Sequence, residues 1–277
     1  MKGFVKGLLG RIVFDSRLTT ILLRNAAVIV AFHRVQDTTA GDGLTIDVAM
    51  FERYCRFFMR HFRVVSLRDL VPRFERGVGL DRELAITFDD GYRDNFENAM
   101  PVLEKLSLPA TFFVVTQWIG TDYVPWWDRQ PDARHPWMTW EQVRSLHRKG
   151  FDVGAHTRSH VDLGRISEVE AREEIFSARL ELQRQLGAPV ESFAYPYGGP
   201  HHLAEANRDL VKAAGFRCCC SCFGGLNAAG TDPFHLRRIP ISPWYASPHQ
   251  FGLELALGMS VQSRSIGRPR GEMNIAP

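Results

Sequence analysis

Hydrophobic residues along this chain gather into short runs, separated by longer stretches in which apolar positions recur every three or four residues. Val28–Phe32 (VIVAF), Leu84–Phe88 (LAITF) and Ala110–Val115 (ATFFVV) are continuous apolar runs of strand length, the pattern of strands covered on both faces. Asp47 stands where it caps a helix, and Phe51, Tyr54 and Phe58 follow at helical spacing. A proline-containing helix is expected between LAITF and ATFFVV. Thr139 with Gln142, and Ser167 with Glu170, have the capping-box spacing of helix starts, while Gly150 and Gly187 stand where those helices should stop. Further strands are read at 151–155, 192–195, 216–222 and 236–239. This alternation predicts an α/β fold, a distorted (β/α) barrel of about seven parallel strands with its active site at the C-terminal strand ends.

Composition adds limits. The 277 residues and 45% hydrophobic content suit one large domain, and no repeat or low-complexity linker divides it. We read residues 1–25 as an N-terminal amphipathic segment, 26–258 as the domain that carries the chemistry, and 259–277 as a disordered tail of Gly, Pro, Arg and Ser. A net charge of +3, with Lys and Arg scattered, gives no case for a nucleic-acid partner. Arg11 interrupts the basic, apolar start and no small-residue cleavage site follows. Ile21–Phe32 is broken by Arg24 and Asn25, short of the roughly 18 apolar residues of a spanning helix. The chain is therefore expected in the cytoplasm, peripheral to the inner membrane through its first residues. Cys55, Cys218, Cys219, Cys220 and Cys222 are an odd, clustered set rather than a disulfide framework. Adjacent strand residues point to opposite faces, so the CCCSC run cannot converge on one tetrahedral metal and reads as small hydrophobes of a buried strand.

Three strands end in chemistry. LAITF runs into Asp89-Asp90-Gly91, the 151–155 strand into His156-Thr157-Arg158-Ser159-His160, and the 192–195 strand into Pro196-Tyr197-Gly198. Two His separated by three residues present imidazoles to one point from a single turn, and a carboxylate completes a facial triad with open positions. Asp90 is the natural third ligand. Asp89, pointing the other way along an extended strand, stays free as a base. Trp126 and Trp127, in a loop before the His motif, are candidate walls of a sugar subsite, whereas Trp140 in the first turn of a helix reads as core.

These motifs resemble the polysaccharide deacetylases of carbohydrate esterase family 4, which share the nodulation-type (NodB homology) domain. Thr87-Phe88-Asp89-Asp90-Gly91 matches the first family motif and His156-Thr157-x-x-His160 the second, in the family's order, with the likeness running from about Val28 to Ile241. The resemblance implies Asp89 as general base, and Asp90, His156 and His160 as ligands of one divalent metal, usually zinc. It implies hydrolysis of N-acetyl groups on an N-acetylated sugar or polysaccharide. The rival readings are a metal-dependent amidase on a non-sugar amide and an inactive carbohydrate-binding module.

Two departures matter. The family's Arg-x-Pro-Tyr motif is here Ala194-Tyr195-Pro196-Tyr197, so the arginine that commonly orients the base is absent, although Pro196 and the Tyr197 N–H remain for an oxyanion. Arg238, with Arg237 competing, is the candidate replacement. The late Leu-x-His motif that supplies the acid is also missing. Ala31-Phe32-His33 resembles rearranged family members, among them biofilm poly-N-acetylglucosamine deacetylases, whose acid motif precedes the Asp pair. His33 is then the acid, with His235 as the other candidate.

Overall fold

A computed structural model describes residues 2–16, 23–37, 42–129 and 135–258, so the expected tail 259–277 lies outside the described residues. Its strands are β1 (Ala26–Phe32), β2 (Arg34–Val35), β3 (Thr45–Ile46), β4 (Arg63–Val64), β5 (Glu83–Phe88), β6 (Thr111–Val114), β7 (Asp152–Ala155), β8 (Ser192–Ala194), β9 (Cys218–Cys220), β10 (Asn227–Ala228) and β11 (Ile239–Pro240). Seven of them are successive parallel neighbours in the order β11–β1–β5–β6–β7–β8–β9. Leu236, just before β11, bridges in parallel to Cys220 of β9, and the Ser221 N–H donates to its carbonyl at 2.8 Å. The sheet thus curls until the 236–240 segment touches both of its edges, giving the distorted (β/α) barrel that the alternation predicts.

The distortion has a visible source. β1 occupies one edge of β5 along its whole length, so β4 at Glu83–Leu84 and β6 at Thr87–Phe88 share the opposite edge at its two ends. Strand side chains alternate between two apolar layers. Val28, Val30, Leu84, Ile86, Phe88 and Phe112 meet the surrounding helices, including Phe51, Tyr54 and Phe58 of helix Val48–His61, which Asp47 caps. Ala27, Ile29, Ala85, Phe113 and Ala194 form the other layer with Leu67, Leu70 and Phe74 of helix Leu67–Glu75, which the hydrophobic pattern did not reveal. The cysteine run obeys the same alternation: Cys218 and Cys220 join this second layer, Cys219 the first, and all five cysteines are free.

Helices Trp140–Arg148 and Glu168–Leu186 begin in the two expected capping boxes, and Gly187 ends the second in a left-handed conformation. The N-terminal helix Lys2–Asp15 is docked on the chain rather than set apart from it. Its Gly10 lies so close to His249 of helix Pro248–Ala256 that a Cβ there would meet the His249 carbonyl oxygen, and Phe14 enters the main core. The opposite side of this helix leaves Phe4, Leu8 and Ile12 exposed. No helix among the described residues is long and apolar enough to cross a membrane.

One glycine carries the register of the strand beneath the site. An added Cβ on Gly154 of β7 would lie 2.5 Å from the Phe113 ring and 2.8 Å from the Ser192 carbonyl oxygen. Gly154→Ala should therefore destabilise the fold by about 1–3 kcal/mol through overpacking, read as a lower urea midpoint at unchanged slope. An unshifted midpoint would show that the β6–β7–β8 contact is looser than described.

Candidate active site

The mouth of the barrel is built from turns that leave the strands abruptly. β5 ends at Phe88, and the Asp89 N–H still pairs with the Phe32 carbonyl of β1 at 2.9 Å. Asp90 then takes φ +73°, and Thr157, His160 and Tyr197 also lie in the left-handed region, at +60°, +60° and +59°. Non-glycine residues avoid that region, and four of the seven described ones that enter it stand at this mouth. The left-handed turn at Asp90, rather than strand alternation, is what sends Asp89 and Asp90 in different directions.

Asp90 Oδ1 lies 3.4 Å from His156 Nε2 and 3.2 Å from His160 Nε2, with all three side chains buried. Asp90 Oδ1 has no hydrogen-bond partner among the described residues. Three donors facing one another in this way fit a cation between them, and a buried orphan oxygen is otherwise costly. The His156 Nδ1 lies 2.8 Å from the Ala194 carbonyl oxygen, which can only accept, so Nδ1 carries the proton and Nε2 presents a lone pair inward. Burial lowers the His160 imidazole below its ordinary value despite Asp90, keeping it neutral as a ligand must be.

Asp89 belongs to a different arrangement. Arg238 Nη1 and Nη2 donate to its two oxygens, each at 2.7 Å, and both side chains are buried. The same guanidinium donates from Nη1 to Thr87 Oγ1 at 3.0 Å and from Nε to the Ser221 carbonyl at 2.6 Å, and lies over the Phe113 ring. Burial works to raise Asp89, and Arg238 with His156 overcomes it, leaving the carboxyl below its ordinary value. Arg237 takes no part: its backbone N–H and carbonyl pair with the Asn227 side chain.

His33, half-buried at the end of β1, has its ring within 4.8 Å of an Asp89 carboxylate oxygen. His235 instead is exposed on the turn Pro233–His235 and pairs with Asp232 at 3.0 Å. Pro196 accepts from the Gly198 N–H at 2.6 Å, which holds Tyr197 with its ring 4.8 Å from the His160 ring. No hydrogen bond engages the Tyr197 N–H among the described residues. Trp127, on the short turn Trp126–Asp128, sits 5.1 Å from His160, while Trp126 is exposed and Trp140 packs against the core.

Two features escaped the sequence reading. Arg34 is buried between Asp128 and Asp42, Tyr92 donates to Asp128 at 2.8 Å, and Trp127 Nε1 donates to the Tyr92 oxygen at 3.0 Å. This network anchors Trp127 beside the metal-type triad; an arginine two residues past an apolar strand was its only signal. Cys222 is the other, a member of the CCCSC run whose sulfur faces the mouth beside His33 and Asp89.

Residues 77–219, just over half of the chain, match the polysaccharide deacetylase family, and the chain belongs to that family. A Bacillus subtilis (strain 168) protein whose name places it among polysaccharide deacetylases is 26% identical over 161 residues, 57% of this chain and 51% of its own length. The poly-beta-1,6-N-acetyl-D-glucosamine N-deacetylase of Escherichia coli (strain K12) is 28% identical over 141 residues, 48% of this chain and 21% of that protein. The chain thus matches about half of the first relative's length and a fifth of the second's. Among solved structures, the Streptococcus pyogenes deacetylase PplD in complex with acetate superimposes with a TM-score of 0.70 at 20% identity, over 82% of this chain and 96% of that one, a likeness of fold.

The geometry predicts one divalent ion at the Asp90–His156–His160 triad. His156→Ala should abolish it, and Asp89→Asn should retain it. Elemental analysis of the purified variants checks both; metal lost with Asp89→Asn would mean that the aspartates exchange roles.

Proposed function

We propose that this chain is a metal-dependent deacetylase that removes N-acetyl groups from an N-acetylated polysaccharide of the poly-N-acetylglucosamine kind. The observation that carries the reading is the separation of two buried carboxylates. Asp90 faces two imidazoles, while its neighbour Asp89 is clamped by Arg238. A binding module has no use for a carboxylate so held. The named activity of the Escherichia coli relative supports the glycan class.

Asp90, His156 and His160 would hold the metal, which we take to be zinc. When bound, such an ion polarises an acyl oxygen and lowers the pKa of a coordinated water towards about 7. Asp89, ionised and aimed by Arg238, accepts the proton of the attacking water. The Tyr197 N–H, fixed by the left-handed turn, donates to the oxygen that gains charge as the carbonyl carbon becomes tetrahedral. His33 gives a proton to the departing sugar nitrogen, since an amine leaves poorly without one. Trp127 and the exposed Trp126 offer flat faces to sugar rings.

Acetate release from β-1,6-linked N-acetylglucosamine oligomers tests the reading. Asp89→Asn should lose about 10²–10⁴-fold in turnover. Arg238→Met should let the Asp89 carboxyl rise, so that the base stays protonated to higher pH and the acidic limb of the rate profile moves upward. No acetate from any such oligomer would remove the substrate assignment, and an unmoved acidic limb would remove Asp89 as the titrating base.

A further inference from the structure

We propose that the mouth holds a second, thiolate-containing cation site, made by His33, Asp89 and Cys222, whose occupation by a soft divalent metal silences the enzyme. The site is distinct from the Asp90–His156–His160 triad. The ligating atoms of His33, Asp89 and Cys222 lie within 4.8 Å of one another, and no disulfide or other cysteine shares them. Imidazole, carboxylate and thiolate together suit zinc or cadmium, with the thiolate favouring the softer metal.

Two of the three ligands are held in place by hydrogen bonds. The Cys222 N–H donates to the Gly198 carbonyl at 2.8 Å, and Arg238 grips the preceding Ser221 carbonyl while it grips Asp89. The approach is close, for a Cβ on Gly198 would strike the Cys222 backbone nitrogen at 2.3 Å. Asp89 spends one lone pair of each oxygen on Arg238. A carboxylate has about four such acceptor positions, so acceptors remain for a metal. His33 supplies the adjustment. Its ring has no hydrogen-bond partner among the described residues, and its half-buried setting allows the movement of about 1 Å that brings donors to the roughly 3–4 Å separations of a tetrahedral centre. Binding exchanges the Cys222 S–H proton for the metal and releases that proton to solvent.

Occupation would take the base and the acid together. The inhibitory consequence rests on the deacetylase reading, while the site itself does not, and the two are separable by experiment. The full chain, loaded with one equivalent of Zn²⁺, is titrated with Cd²⁺ while the ultraviolet thiolate-to-cadmium charge-transfer band and total metal are followed. The wild type should gain a second equivalent with the band. Cys222→Ser should keep the first equivalent and lose the second and the band, with its fold checked by circular dichroism. His33→Gln should weaken the second equivalent by more than the roughly 10–100-fold that loss of an outer partner costs. Excess metal should inhibit acetate release by the wild type and spare Cys222→Ser. A wild type that binds one equivalent only, or a Cys222→Ser protein that still binds two, overturns the site. Second-metal binding without any acetate release would uphold the site and count against the deacetylase reading instead.

Discussion

Arg238 lies wholly inside the barrel, and its guanidinium ties together strands that are far apart in sequence. It meets Asp89 at the end of β5 with two hydrogen bonds, Thr87 on the same strand with a third, and the Ser221 carbonyl beyond β9 with a fourth, over the Phe113 ring of β6. A buried ion pair of this sort adds little net stability over an apolar replacement, but loss of one partner leaves a buried charge and costs about 3–5 kcal/mol. The pair therefore fixes position more than it adds stability. Small side chains in the inner layer, Ala27, Ala85, Cys218 and Cys220, make room for it. The segment that carries Arg238 is also the one that closes the barrel, so closure of the fold and orientation of Asp89 are a single event.

Around that pair the backbone is strained where the chemistry needs it. Asp90, Thr157, His160 and Tyr197 leave the strand ends in left-handed turns, each held by local bonds such as the His160 N–H to Thr157 Oγ1 at 2.9 Å. These turns aim one aspartate at the two imidazoles and leave its neighbour to Arg238. Strain of about 1–3 kcal/mol at each such residue persists only in a surrounding that over-determines it. The barrel strands and the Arg34–Asp128–Tyr92 network supply that surrounding.

The strand order, the two capping boxes and the strand-end motifs were legible because each is local: an apolar run, a Ser or Thr three residues before Glu or Gln, a polar dipeptide after a strand. What was not legible depends on distance in space. The choice of Arg238 over Arg237 turns on which side of the short segment between Leu236 and β11 looks inward, and neither residue type nor spacing contains that. Helix Leu67–Glu75 was masked by Pro72 within it. Cys222 read as one more small hydrophobe, because a turn after Cys220 that carries its sulfur to the mouth has no signature beyond Ser221. The separation of the aspartates was anticipated, but for the wrong reason: the strand has already ended, and a turn does what alternation was expected to do.

In the proposed mechanism Asp89 acts as base through its grip by Arg238, independently of the metal triad. A double-mutant cycle on kcat/KM for acetate release, using Asp89→Asn, Arg238→Met and the pair in proteins of equal metal content, tests it directly. If Arg238 acts through Asp89, its loss should cost little once Asp89 is already gone, so the double variant should match Asp89→Asn alone. Additive losses in the two variants would contradict the account and give Arg238 a role of its own.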